Sequence, residues 1–408
     1  MSRIKNLPTG WERKRLDKVA VIQTGIAKNQ NSKQEAIELP YLRVANVQDG
    51  YLDLSEIKTI KVHKDRADRY RLENGDVLLT EGGDFDKLGR GAVWEGQIQN
   101  CVHQNHVFAV RPNKHELLPS FLSAQTGSSY GKRYFLSCSK QSTNLASINS
   151  SQLKAFPVLL PPIPEQKAIA DLLSTWDEAI EKTERLIQAK EKRFEQLLND
   201  LIYVPTTEGK WKQIRAKSLF KERKEKKRGD LILLSITNGE GVIPREDTNR
   251  KDTSNEDKSK YLRICPGDIG YNTMRMWQGV SALSSLEGIV SPAYTICIPG
   301  EKLCPLFVAY LFKMPFMIHR FYRYSQGLTS DTWNLKFPHF SEVKMPLPSL
   351  EEQVRIAETL SSARNEISLL TQLAEKYKTQ KRGLMQKMLT GEWRIKPDVV
   401  KTFEGGDS

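Results

Sequence analysis

The sequence predicts a mixed α/β (α+β) chain of two pseudo-symmetric globular halves and two long helices that pair as an antiparallel coiled coil. Three observations predict it. The segment "PPIPEQKAIADLLSTWDEAIEK" from Pro161 returns as "PSLEEQVRIAETLSSARNEISL" from Pro348, so that Glu165, Gln166, Ile169 and Leu173 match Glu352, Gln353, Ile356 and Leu360 at one constant offset. Each copy opens an apolar stripe with alternating spacings of four and three residues. Each is preceded by a stretch of short β-like runs punctuated by Gly, Asn and Pro. Two copies are too few for a solenoid, which needs about three repeats to bury a continuous core. A pseudo-dimer within one chain, two equivalent units about an approximate two-fold axis, is the expectation.

In chain order, residues 1–160 form the first globular half, with runs such as "YLRVANV", "GDVLLTEGG", "GAVWEG" and "HVFAVRP". Residues 161–204 form the first helix, whose seam runs Ile169, Leu173, Trp176, Ile180, Thr183, Ile187, Lys190, Phe194, Leu197, Leu201. Residues 205–347 repeat the globular style with "LILLSITNGEGV", "GDIGYNT" and "AYTICIPG". Residues 348–391 form the second helix, with the seam Ile356, Leu360, Ala363, Ile367, Leu370, Ala374, Tyr377, Lys381, Leu384, Met388, and 392–408 form a tail. Large residues of one seam stand against small or polar ones of the other, as Trp176 against Ala363, which favours mutual pairing over two stripes packed on separate domains. A seam of roughly 33 residues is about 50 Å long, the span of about 14 base pairs of B-DNA, so the helices have the dimensions of a ruler.

Composition narrows the partners. In 408 residues, 62 Lys and Arg against 49 Asp and Glu leave a net charge of +13, which favours a polyanion. Five cysteines without a CxxC spacing signal neither a disulfide framework nor a zinc site. The start "MSRIKNLPTGWERKRL" lacks the apolar core of a signal peptide and no run is long enough to span a bilayer, so no membrane and a cytoplasmic location are expected.

Several loops suit DNA. "EGGDFDKLGRG" at 81–91 joins four glycines, expected to let backbone approach a duplex, to Lys87 and Arg90. "VHQNHV" supplies His103 and Asn105, and "SKQSTNLAS" supplies Lys140, Gln141, Ser142, Thr143 and Asn144. In the second half "MRMWQG" offers Arg275, Trp277 and Gln278, and "SQGLTSDTWN" offers Gln326, Thr329 and Ser330. Amides, hydroxyls, imidazoles and guanidinium groups of this kind read base edges or hold phosphates. An ordinary polar turn is the plainer reading of each loop taken alone. The run "KERKEKKR" at 221–228 reads as a solvated helix face able to touch phosphates.

Signals for chemistry are missing. The sequence has no GxGxxG, no complete phosphate loop and no Asn/Asp-Pro-Pro-aromatic tetrapeptide. His103 and His106, with Glu81, Asp84 and Asp86 upstream, could in principle bind a metal, but the histidines lie in a strand-like segment and have no counterpart in the other half. No catalytic residue and no metal site is expected.

Over nearly its full length the chain resembles the specificity subunit of type I restriction-modification systems. The resemblance rests on "LPPIPEQKAIADLLS" and "LPSLEEQVRIAETLS", on "LMQKMLTGEWR" at 384–394, and on "YLRVANVQDG" with "EGGDFDKLGRG". It implies two target-recognition domains, each reading half of a bipartite, asymmetric double-stranded DNA sequence and held apart by the two helices. It also implies docking of two methyltransferase subunits, which bring S-adenosylmethionine, and of restriction subunits, which use ATP and Mg2+; this chain itself would bind no cofactor. The second half lacks "EGGD…KLGRG", so its contacts cannot be transferred from the first. The competing readings are a self-contained DNA methyltransferase or nuclease, which the missing cofactor motifs oppose, and a structural coiled-coil scaffold, which the charge opposes.

Overall fold

The computed structural model describes residues 7–27, 36–83, 85, 88–141, 146–226, 228–237, 239–248, 257–329 and 332–404. The chain divides into two compact units, one made of Met1–Glu184 with Gln372–Ser408, the other of Arg185–Thr371.

The first unit carries strands β1 (Glu12–Arg15), β2 (Ala20–Thr24), β3 (Ala36–Leu42), β4 (Lys58–His63), β5 (Val77–Thr80), β6 (Gly82–Gly83), β7 (Gly91–Val93), β8 (Val102–His103), β9 (Val107–Pro112), β10 (Lys140–Gln141), β11 (Ala146–Ser147) and β12 (Pro157–Leu160). Its main sheet has the order β2-β9-β5-β7, flanked by the sheets β4-β3-β8, β10-β11-β6 and β1-β12. β5 is buried at every position, an apolar run covered on both faces. The second unit carries β13 (Lys212–Arg215), β14 (Phe220–Glu222), β15 (Leu234–Ile236), β16 (Val242–Pro244), β17 (Leu262–Ile264), β18 (Ile269–Asn272), β19 (Ser281–Leu283), β20 (Gly288–Val290), β21 (Tyr294–Pro299) and β22 (Lys344–Leu347). Its main sheet, β14-β21-β18-β19, repeats the first unit's order strand for strand, and β13-β22 repeats β1-β12.

The turn before the central strand is shared as well. Asp76 and Asp268 follow Gly75 and Gly267, both at positive φ, and each buried carboxylate accepts the backbone N–H three residues back, that of Glu73 or Cys265, at 2.8 Å. Each also takes a two-pronged arginine, from Arg111 of β9 at 2.8 and 2.9 Å and from Arg223 beyond β14 at 2.7 and 3.0 Å. The partner is thus rebuilt from a different strand. Here the basic run at 221–228 departs from expectation: it opens as edge strand β14, and Arg223 is spent on a core carboxylate rather than on a solvated helix face.

The long helices span Ile163–Leu198, prolonged by a π turn over Asn199–Tyr203, and Leu350–Met388. Both begin with the same clamp. Gln166 accepts Leu118 N–H at 2.9 Å and donates to the carbonyls of Glu116 and Pro161 at 2.8 and 2.9 Å. Gln353 accepts Cys304 N–H at 2.9 Å and donates to the carbonyls of Lys302 and Pro348 at 3.0 and 3.1 Å. A fully buried amide satisfies three backbone groups that would otherwise be left unpaired, which explains why this residue repeats.

Within each unit the helices run antiparallel. In the first, Trp176 packs edge-to-face on Tyr377 with centroids 5.7 Å apart, Asp177 pairs with Lys381, and Glu184 pairs with Lys378 at 2.9 Å. In the second, Lys190 pairs with Glu366 at 2.7 Å, and Arg364 lies 4.1 Å above the Phe194 ring. Ile169, Leu173, Leu384 and Met388 join the first unit's core around Phe108, Phe121, Phe135 and Phe156. Phe194, Ile187, Leu197, Leu201, Ile356, Leu360 and Ile367 join the second's, around Phe307, Phe312, Phe321 and Phe340. Trp176, Ile180, Leu370 and Tyr377 are half-buried. Burying one such aliphatic side chain contributes about 1.5–3 kcal/mol, so the stripes both join the helices and fasten them to the globular parts.

Candidate nucleic-acid interface

Main-chain pairing in the first unit gathers the three loops singled out in the sequence. β6 pairs with β11 and β11 with β10, which joins the glycine-rich loop to the 139–147 segment. Ile148 N–H donates to Glu81 O, Glu81 N–H donates to His106 O, and the His106 ring meets the Glu81 carboxylate at 2.5 Å, bringing in 102–107. All of this lies where β5 ends and β9 begins, since Thr80 pairs with Val107.

In the second unit the equivalent end of the sheet, where Asn272 of β18 pairs with Tyr294 of β21, carries the loop of Arg275, Trp277 and Gln278. Its single turn, Met276–Gln278, stops at Gly279 in the left-handed region. The loop at 325–334 is pinned beside it: Leu335 N–H donates to Thr273 O at 2.8 Å, and Trp333 packs edge-to-face against Trp277 at 5.2 Å and Tyr322 at 4.9 Å. Gln326 and Asn334 exchange backbone bonds of 2.8 and 2.9 Å that close this loop, and Thr329 O accepts the N–H groups of Thr332 and Trp333.

The individual side chains differ in what they can offer. Lys140, Arg275, Gln278, Gln326 and Thr329 are exposed. Asn105 and Arg90 are half-buried, and the buried Nε of Arg90 has no hydrogen-bond partner among the described residues. Trp277 is half-buried, and its indole N–H is engaged by Met274 O at 3.1 Å, so it has only ring surface left to present. Gln141 contributes the backbone of β10. Lys87, Ser142, Thr143, Asn144 and Ser330 lie outside the described residues.

Two expectations are corrected. His103 cannot meet a ligand at the surface: it is fully buried on β8, its ring faces Tyr70 O at 3.3 Å, and burial pushes its pKa down to about 4, so it is neutral at pH 7. His106 lies beyond β8, exposed in the turn at 105–106, which separates it from His103. Among the described residues no group of three His, Cys, Asp or Glu could hold a metal. The second correction concerns the glycines. At Gly89, with φ +66°, a Cβ would stand 2.4 Å from the Phe135 ring, so this glycine serves internal packing rather than approach to a duplex.

Sequence reading missed the aromatic backing of the second site. Tyr322 lies on the helix Pro315–Tyr324, and only tertiary packing brings it to Trp333. The Glu81–His106 contact that ties two loops of the first site was equally out of reach.

The architecture is that of a duplicated scaffold that mounts different loop sets on one end of equivalent sheets, with a basic surplus of charge. Residues 8–191 and 212–378 match the type I restriction modification DNA specificity domain family, so the chain belongs to that family, as a specificity subunit of a type I restriction-modification system. It is 25% identical over 427 residues to a Methanocaldococcus jannaschii chain bearing the name of the MjaX type I restriction enzyme specificity subunit, with 96% of each covered. It is also 25% identical over 166 residues to the EcoKI specificity subunit of Escherichia coli K12, covering 40% of this chain and 35% of that one. Its fold is similar to that of the HsdS subunit from Thermoanaerobacter tengcongensis (TM-score 0.52, 16% identity, 95% and 98% covered). It is likewise similar to a chain solved in work on assembly and conformational transition of the type I R-M system (TM-score 0.58, 16% identity, 95% and 100% covered). These matches do not favour the readings as a lone methyltransferase, a nuclease or a structural scaffold. Among the described residues no helix is long and apolar enough to cross a membrane.

Proposed function

We propose that the chain reads a bipartite DNA target in the cytoplasm, one half-site with each loop set, and carries out no chemistry of its own. Residues 1–160 and 205–347 are the two readers, 161–204 and 348–391 the spacers that set the unread gap, and 392–408 a tail. Two methyltransferase subunits supply S-adenosylmethionine, and restriction subunits supply ATP and Mg2+ chemistry. The observation that carries this reading is the placement of both loop sets at the same end of equivalent sheets, with different side chains on each. Lys140 and Arg90 serve one half-site, and Arg275, Gln278, Gln326 and Thr329 the other, with Trp277 and Trp333 as a rigid apolar backing.

Selection of bound sites from a random duplex pool by the assembled complex tests it. Two constant blocks with a fixed gap are expected, with binding that falls steeply as salt rises because phosphate contacts release counterions. Arg275→Ala with Gln278→Ala should relax one block and leave the other intact. A single continuous block, or relaxation of both blocks, would overturn the proposal.

A further inference from the structure

In the first unit the start of the long helix is covered by the chain's own tail. Glu165, 2% exposed, receives the Arg394 guanidinium at 3.0 and 2.6 Å and the Trp11 indole N–H at 3.2 Å, while Arg394 also donates to Thr9 O at 3.0 Å. Gly391, at φ +75°, lets the tail lie so close that a Cβ there would meet the Pro8 ring at 2.5 Å.

The second unit repeats the ground on which that tail sits, with Trp211 as buried as Trp11, but among the described residues Glu352 is half-buried and Leu350 exposed where Glu165 is buried and Ile163 half-buried. Trp211, Leu347, Leu350 and Glu352 stand where Trp11, Leu160, Ile163 and Glu165 stand in the first unit, and they line a cavity of about 530 Å3. Leu350 is 46% exposed although apolar, and Glu352 makes no ion pair among the described residues. The lining carries Lys210, Lys212 and Lys302 beside Glu301 and Glu352, and Lys210 is held by Glu208 at 2.7 Å.

We infer that this cavity docks an arginine-bearing segment of another polypeptide of the assembly, its guanidinium on the Glu352 carboxylate and its backbone across Trp211 and Leu350, as Arg394 and Gly391 lie on Glu165 and Trp11. The inference rests on the chain working in a complex, not on which DNA it reads. Planar, two-pronged pairing selects arginine over lysine. An anionic occupant would face the free carboxylate.

A photo-crosslinking amino acid at position 350, in the complex assembled from the full chain and its partner subunits, tests the site. The expected product is a peptide of a partner subunit with an arginine close to the crosslinked position. Glu352→Arg should weaken association with that subunit at least tenfold, Glu351→Arg on the exposed neighbouring residue should not, and converting the partner's arginine to Glu should restore Glu352→Arg. Failure to crosslink, a peptide without arginine, a peptide from residues 389–404 of a second copy, or assembly of Glu352→Arg at wild-type strength would each overturn it. Binding of DNA by the same samples separates this outcome from a failure of the DNA-reading proposal.

Discussion

The two main sheets, β2-β9-β5-β7 and β14-β21-β18-β19, have the same strand order and carry different equipment at the same end. The first unit builds its site from main-chain pairing: a short three-stranded sheet through Gly82 and Gly83 holds the loops, leaving Lys140 outside. The second builds its site from ring packing: Trp277, Trp333 and Tyr322 brace one another, leaving Arg275 and Gln278 outside. A frame that keeps its strand order while changing how its loops are held can change its ligand without being refolded. The difference also separates what each unit tolerates, since backbone ladders survive side-chain change and aromatic clusters do not.

The comparison breaks most visibly at the shared turn. Asp76→Asn and Asp268→Asn each take the buried carboxylate from a half-buried arginine, Arg111 or Arg223, that keeps only the more exposed Glu73 or Glu225, and each should cost about 3 kcal/mol in its own unit. Denaturant unfolding with hydrogen exchange resolved by unit checks this. Loss spread evenly over both units would show that they do not stand alone.

Acid should separate them next. His103 stays neutral in the folded first unit, with a pKa of about 4 against an ordinary 6.5, while the unfolded chain takes up the proton. The unfolded state therefore binds more protons, and stability falls as pH drops from about 6.5 towards 4, by roughly 3 kcal/mol in full. His319 and His339 of the second unit are exposed. Across this pH range, exchange protection corrected for the intrinsic pH dependence of amide exchange should fall in the first unit. Acid loosening that persists in His103→Asn would assign it to another group.

Gln166→Ala and Gln353→Ala should each cost about 2–3 kcal/mol, because a buried N–H and two carbonyls lose their partner. Equal costs are expected, since the two clamps match bond for bond. The smallest effects belong to the loops. Lys140→Ala should weaken every DNA sequence alike if it holds a phosphate, whereas Gln278→Ala should lose about 1–3 kcal/mol of discrimination at one position. Competition binding against single-base variants distinguishes the two.

What the sequence made legible follows the range of the interactions. The helical seams and the Glu-Gln duplication are periodic and local, so spacing alone reveals them. Equality of the two Glu-Gln motifs was legible, but their divergence was not: Glu165 is paired by a residue more than two hundred positions away, and Glu352 has no ion pair among the described residues. His103 and His106 look alike in "HQNH" because the pattern does not tell that the strand ends at His103 and that His106 sits in the turn after it. Arg223 looked like one cation of a solvated run because Asp268 is brought to it only by the sheet. The candidate loops were legible by composition, while their convergence depends on the pairing of Gly83 with Ala146 and of Trp277 with Trp333, which no local rule contains.

The first unit takes residues from both ends of the chain, whereas the second is one continuous stretch, 185–371. A ribosome delivers the chain from its amino end, so the half that emerges first is completed last. After Glu184 leaves the synthesis site, synthesis as far as Arg394 takes roughly 10–42 s at about 5–20 residues per second. For that interval Ile169 and Leu173 lack Met388 and Leu389, and Glu165 lacks Arg394. The nascent chain therefore carries an open apolar seam while the second unit is being made, and residues 388–394 latch a unit whose strands were all made before them.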